Sequence, residues 1–184
     1  MRRAPRPRGV RRPVALSGTP GTGKSAVARL LAPGVRSIEV ADWALLQGLG
    51  RRVGRSVVVD LARLGPPPAS YDLVVGHLAH LLPVHDVIVL RCRPAALARR
   101  LAGARRGTAR DRRANVEAEA LDVVLVEAVA LGRRVWEIDT SRRSVGSVAR
   151  EVAERLRRGG PARLGTVDWL RDPRLTAHLL DRPP

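Results

Sequence analysis

An apolar run, Val14-Ala15-Leu16, leads into Gly18-Thr19-Pro20-Gly21-Thr22-Gly23-Lys24-Ser25 and on into the helix-forming stretch from Ala26 to Leu31. No other segment constrains the fold as tightly. A strand that feeds a glycine-rich turn and then a helix, with the spacing GxxxxGK[ST], is the pattern of a phosphate-binding loop. Glycines let the backbone curl until successive N–H groups converge on one hollow, where the helix N-terminus adds its partial positive charge. Gly18, Gly21, Thr22, Gly23, Lys24, Ser25 and Ala26 are the expected ATP contacts. Lys24 is expected to reach the β- and γ-phosphates, and the Ser25 hydroxyl to ligate Mg²⁺.

Composition bears on this motif directly. Of 34 basic residues, Lys24 is the one lysine and the others are arginine. A compact ammonium on a flexible stem fits between two phosphates where a planar guanidinium does not. The chain of 184 residues is 45% apolar, enough for one domain with a real core, but aromatics make up 2% and Phe is absent. Leu, Val, Ala and Ile must therefore fill the interior. The net charge of +17 calls either for a polyanionic partner such as nucleic acid or for a solvated arginine-rich surface. Aromatics do not interleave with the arginines, which argues against a base-stacking platform. No apolar run approaches the ~20 residues that cross a bilayer. The arginine- and proline-rich start lacks the apolar core of a secretory signal. With the single Cys92, no internal disulfide can form, and a cytoplasmic location is expected.

In chain order, residues 1–12 read as a basic disordered arm, 13–160 as the nucleotide-binding domain and 161–184 as a carboxyl-terminal tail. Short apolar strands are expected around Ser37–Val40, Tyr71–Val75, Val87–Leu90 and Val135–Asp139, with helices between them. Strands alternating with helices predict an α/β fold, a parallel sheet of about five strands with helices on both faces. Asp42 follows the second strand, at the end where ligands of open α/β sheets lie. It serves Mg²⁺ or a second substrate, or caps a helix Trp43 to Leu49. Gly48 to Pro68 is a glycine- and arginine-rich insertion, and the third strand ends at Val75, two residues before His77. His77 is the candidate for work at the phosphates, whereas His80 is assigned to packing. Arginines cluster between Gly103 and Arg113, where a segment closing over ATP would neutralise charge; a solvated loop is the alternative. Ala114 to Leu131 has the spacing of one helix.

Several segments agree in order with one family. GTPGTGKS at 18–25, VAD at 40–42, VVDLARL at 58–64, GHLAHLLP at 76–83, VIVLRCRP at 87–94, RRGT at 105–108, NVEAEALDVVLVEA at 115–128 and EIDTS at 137–141 resemble the atypical adenylate kinases of archaea and the eukaryotic nucleus, the isoenzyme-six type. The resemblance implies a three-layer P-loop fold of the nucleoside monophosphate kinase type, transfer of the ATP γ-phosphoryl to AMP, and a part in small-subunit ribosome maturation with a ribosomal protein and pre-ribosomal RNA as partners. It places the monophosphate at about 42–65 and a lid at about 105–113. It also matches Arg106 to the lid arginine that contacts ATP and puts Arg143 beside the adenine. Lys24, His77 and Arg106 are the catalytic candidates on this reading, and Ser25 and Asp42 the metal ligands. Members of this family usually carry Asp or Glu where this chain has Val75, so a Mg²⁺-orienting carboxylate is missing from its expected place.

Overall fold

The computed structural model describes residues 12–54, 56–104 and 107–171. Residues 1–11 of the basic arm, Arg55, the arginines Arg105 and Arg106 of the expected lid and the helical pattern at 174–180 lie outside the described residues.

Five strands form one parallel sheet: β1 (Val14–Ser17), β2 (Ser37–Glu39), β5 (Leu73–Val75), β6 (Asp86–Arg91) and β7 (Arg134–Asp139). Their order is β2-β5-β1-β6-β7. A parallel strand buried on both faces needs an unbroken apolar run rather than alternation, which is what Leu73–Val75 and Val87–Leu90 provide. Between the two faces the core divides by the period of two. Ala15, Val74, Val87, Val89 and Val135 point to one side, against Trp43, Ala44, Leu64, Leu82 and Ala128. Leu16, Leu73, Val75, Ile88, Leu90, Trp136 and Ile138 point to the other, against Val27, Ala28, Val148, Ala149 and Val152.

On that second side lie α1 (Lys24–Leu31) and α7 (Val145–Arg158), which pack on each other. The first side is covered by α2 (Val40–Leu46), α3 (Leu61–Leu64) and α6 (Val123–Ala130). A third cluster joins α4 (Pro94–Gly103) to Cys92 and α5 (Ala109–Ala120). The expected α/β fold of helices on both sheet faces is therefore present. Within the insertion, β3 (Gly50–Val53) and β4 (Ser56–Val59) form an antiparallel hairpin apart from the main sheet. Among the described residues no helix is long and apolar enough to cross a membrane.

One feature departs from the sequence reading. The single helix expected over Ala114–Leu131 is two, because Asp122 turns into the left-handed region at φ 57° between α5 and α6. That turn delivers the Asp122 carboxylate to the Arg91 guanidinium. The carboxyl-terminal stretch, whose packing the sequence leaves open, lies against the body as far as it is described. Arg163 N–H donates to Val135 O at 2.8 Å and Glu137 N–H donates to Arg163 O at 3.0 Å, adding one parallel bridge outside β7. The Trp136 indole donates to Pro161 O at 2.7 Å, and Trp169 is buried.

Candidate active site

Gly18 to Ser25 leaves the carboxyl end of the central strand and enters α1, the setting that the motif requires. Gly18 adopts φ 134°, and a Cβ there would stand 2.4 Å from Leu90 O of the neighbouring strand. Only glycine fits so close to a fixed backbone. Gly21, at φ 94°, turns under α4, where a Cβ would meet Leu97 and Leu101 at 2.8 and 2.9 Å. The Thr22 hydroxyl closes the turn by donating to Thr19 O at 2.9 Å.

Lys24 is 8% exposed. Its Nζ donates to Gly18 O at 2.6 Å and Thr19 O at 3.0 Å, so two of its three N–H bonds hold the loop's own carbonyls and one is left for another acceptor. Burial pushes its pKa down to about 8, opposed by the charges of Glu39 and then Glu119. The Ser25 side chain is exposed in the first turn of α1. His77 also faces solvent; partial burial, the charge of Lys24 and then that of His80 lower its pKa.

Two buried networks hold the loop from below. In the first, His80 is fully buried, its Nδ1 is 2.9 Å from Ser17 Oγ and its Nε2 is 2.8 Å from a Glu127 carboxylate oxygen. Burial lowers the His80 pKa against the pull of Glu127. A neutral ring satisfies both partners in one tautomer: Nε2–H donates to the carboxylate, which can only accept, and Nδ1 accepts the Ser17 hydroxyl. His80 thus packs, as expected, and also fixes the residue that precedes the phosphate loop.

The second network was not legible beforehand. Thr19 Oγ1 donates to Glu119 Oε2 at 2.6 Å, and Glu119 Oε1 accepts from Arg91 Nε at 2.9 Å, Cys92 N–H at 2.9 Å and Trp169 Nε1 at 3.1 Å. Arg91 also donates to Glu137 at 2.8 Å and to Asp122, and its guanidinium lies 5.8 Å from the centre of the Trp169 ring. Arg91, Glu119 and Glu137 are all 2% exposed or less. Charges this deep persist because each is paired, and removing one partner costs about 3–5 kcal/mol.

Other expected site residues stand as follows. Asp42 is exposed in the first turn of α2, one turn past the end of β2, rather than at the strand end itself. That strand end is Glu39. Arg143 turns along α7, donating to Ser147 Oγ at 2.9 Å and to Glu151 at 2.6 Å. The segment before it meets the phosphate loop through Thr140, whose hydroxyl lies 3.2 Å from Thr22 O and 2.8 Å from Arg91 O. Arg100 of α4 donates to Thr140 O at 2.6 Å and secures that segment. Arg106 lies outside the described residues.

The groups available to a cation at this end of the sheet are oxygens: the Ser25 hydroxyl and the carboxylates of Glu39 and Asp42. No cluster of three His, Cys, Asp or Glu among the described residues would hold a metal unaided. That fits Mg²⁺, a hard cation that keeps several waters and takes further ligands from substrate phosphates.

Comparison with known proteins gives a consistent result. A family model described as an AAA domain matches residues 14–122. A protein of Thermococcus onnurineus named "Putative adenylate kinase" is 41% identical over 164 residues, covering 85% of this chain and 90% of the relative. A like-named protein of Archaeoglobus fulgidus is 41% identical, covering 85% and 91%. One of Methanocaldococcus jannaschii is 31% identical over 168 residues, covering 85% and 92%.

Proposed function

This chain belongs to the AAA domain family and is a homologue of those archaeal relatives, and from that premise we propose that it moves the γ-phosphoryl group of ATP to AMP. The transfer forms a bond from phosphorus to an AMP phosphate oxygen and breaks the one to the ATP β-phosphate oxygen, giving two ADP. The observation that carries the reading is the Gly18–Ser25 loop, held at the end of the central strand with Lys24 turned into it.

Roles follow from position. The backbone N–H groups of Gly18 and of Gly21 to Ala26 take the β- and γ-phosphate oxygens, and Lys24 gives its remaining N–H to the same charge. Ser25, with a carboxylate from this end of the sheet, Asp42 or Glu39, holds Mg²⁺, whose chemistry when bound is to neutralise charge on the β- and γ-oxygens. His77, beyond β5, donates to phosphoryl oxygens. Arg106 stabilises the charge as transfer proceeds. The hairpin β3–β4 and its flanks, at about 42–65, receive the monophosphate, and Arg143 borders the adenine.

One observation favours a second reading. Val75, at the position where the isoenzyme-six type usually has an acid, is fully buried in an apolar cluster. A slow ATPase acting in ribosome assembly, with a small-subunit ribosomal protein and pre-ribosomal RNA as partners, needs less catalytic power; the +17 charge suits such a partner. ADP formation measured with AMP, dAMP and CMP as acceptors, beside water alone, separates the two. The kinase reading expects AMP-dependent ADP well above the water background, and ATP consumption that ignores the monophosphate would sink it.

A further inference from the structure

We propose that Glu39 is the carboxylate that holds the water shell of Mg²⁺ when this chain binds Mg·ATP, in place of the acid that Val75 does not supply. The inference deepens the nucleotide-binding reading above and rests on it.

The strand register carries the argument. Leu16 of β1 pairs with Val75 of β5, and Val75 pairs with Glu39 of β2, so the three residues form one row across the sheet. Residues in one row of parallel neighbours point to the same face. Leu16 and Val75 pack on Val27 and Ala28, which makes it the α1 face, and α1 opens at Lys24. Glu39 therefore offers a carboxylate from the neighbouring strand, at the same level as Val75. It stands one strand spacing, about 4.8 Å, farther from β1, and its side chain is longer than Val or Asp.

Two further observations fit. Among the carboxylates acting on Lys24, Glu39 acts most, ahead of Glu119. Glu39 is also the N-cap residue of α2, yet its side chain makes no capping hydrogen bond, and its carboxylate has no hydrogen-bond partner among the described residues. A half-buried carboxylate on the α1 face, whose charge reaches the phosphate-loop lysine and which has no hydrogen-bond partner among the described residues, is available to a cation. Asp42, exposed in the first turn of α2, is not among the charges that act on Lys24.

The test is calorimetric titration of the full chain with ATP, once with Mg²⁺ and once with EDTA, for wild type, Glu39→Gln, and Glu39→Gln combined with Val75→Asp. Glu39→Gln is expected to weaken Mg·ATP binding by about 10–100-fold, the usual cost of losing an outer-shell partner of a metal. Metal-free ATP binding should stay the same or tighten, since a negative charge near the triphosphate is gone. The double variant should regain most of the Mg²⁺ effect. Equal loss with and without Mg²⁺, or no loss at all, overturns the proposal. If Glu39→Gln does not fold, the wild-type chain still decides: substoichiometric Mn·ATP should broaden the Glu39 side-chain carboxyl ¹³C resonance more than that of Asp42, and the reverse order overturns it. Mg·ATP binding with no transfer to AMP would defeat the kinase reading alone, because these readouts require no acceptor.

Discussion

Lys24 sits where a charge costs most and is used most. Its ordinary value of 10.5 falls to about 8 through burial, partly offset by Glu39 and Glu119. Between those values the unfolded chain binds the proton more tightly than the native one. The lysine therefore subtracts stability below pH 8, and that penalty lifts as pH rises toward 10.5. Triphosphate reverses the preference, because the ammonium is what it pairs with. ATP affinity should fall as pH rises above about 8, with close to one proton taken up per ATP bound near pH 9. Calorimetry in buffers of different ionisation enthalpy measures that uptake, and a value of zero there would deny Lys24 a charge role. A guanidinium cannot titrate in this range and has the wrong shape for the two loop carbonyls. Lys24→Arg is accordingly expected to lower ATP affinity by tenfold or more, roughly the 1.5–3 kcal/mol of a charged hydrogen bond, and an equilibrium titration at pH 7 checks it.

At the level of elements, what could be read from the sequence was whatever is local. The phosphate loop and α1 were legible because eight adjacent residues specify them. The strands of the main sheet were legible from short apolar runs, whereas the hairpin β3–β4 was read only as an insertion. The break between α5 and α6 was not, since Val116, Ala120, Val123 and Val124 keep helical spacing straight through Asp122. What interrupts that helix is Arg91, on another element, which draws both Glu119 and Asp122 to itself. Glu39 was overlooked for the same reason, as its standing comes from a register across two strands and not from its neighbours in sequence. Glu119 should behave as a support of the phosphate loop. Glu119→Gln leaves Arg91 and the Thr19 hydroxyl facing a neutral amide and is expected to cost about 3–5 kcal/mol. Urea unfolding of the variant checks this; a change below about 0.5 kcal/mol would place it with ordinary surface substitutions and contradict the buried pairing.

Across the whole molecule, the packed body includes residues beyond 160, where the carboxyl-terminal tail begins. Residues 161–171 add a bridge to β7 and bring Trp169 over Arg91. A nucleotide-binding domain cut at 160 therefore loses interior contacts. Trp169→Ala is expected to destabilise the full chain by about 3–5 kcal/mol, the range for truncating a large buried aromatic. Trp169→Phe keeps most of the apolar contact but deletes the N–H bond to Glu119, and should cost about 1–3 kcal/mol. Thermal melts of the two variants side by side check the order, and equal melting temperatures would remove the indole N–H from the account.

Glu119 accepts hydrogen bonds from both Thr19 and Trp169, residues close to opposite ends of the described chain. During synthesis, the phosphate loop must wait for this support until Trp169 has emerged from the ribosome. A nascent chain arrested shortly before Trp169 should hold ATP less firmly than one that includes it, so that a firm grip on nucleotide arrives about 150 residues after the loop itself is made.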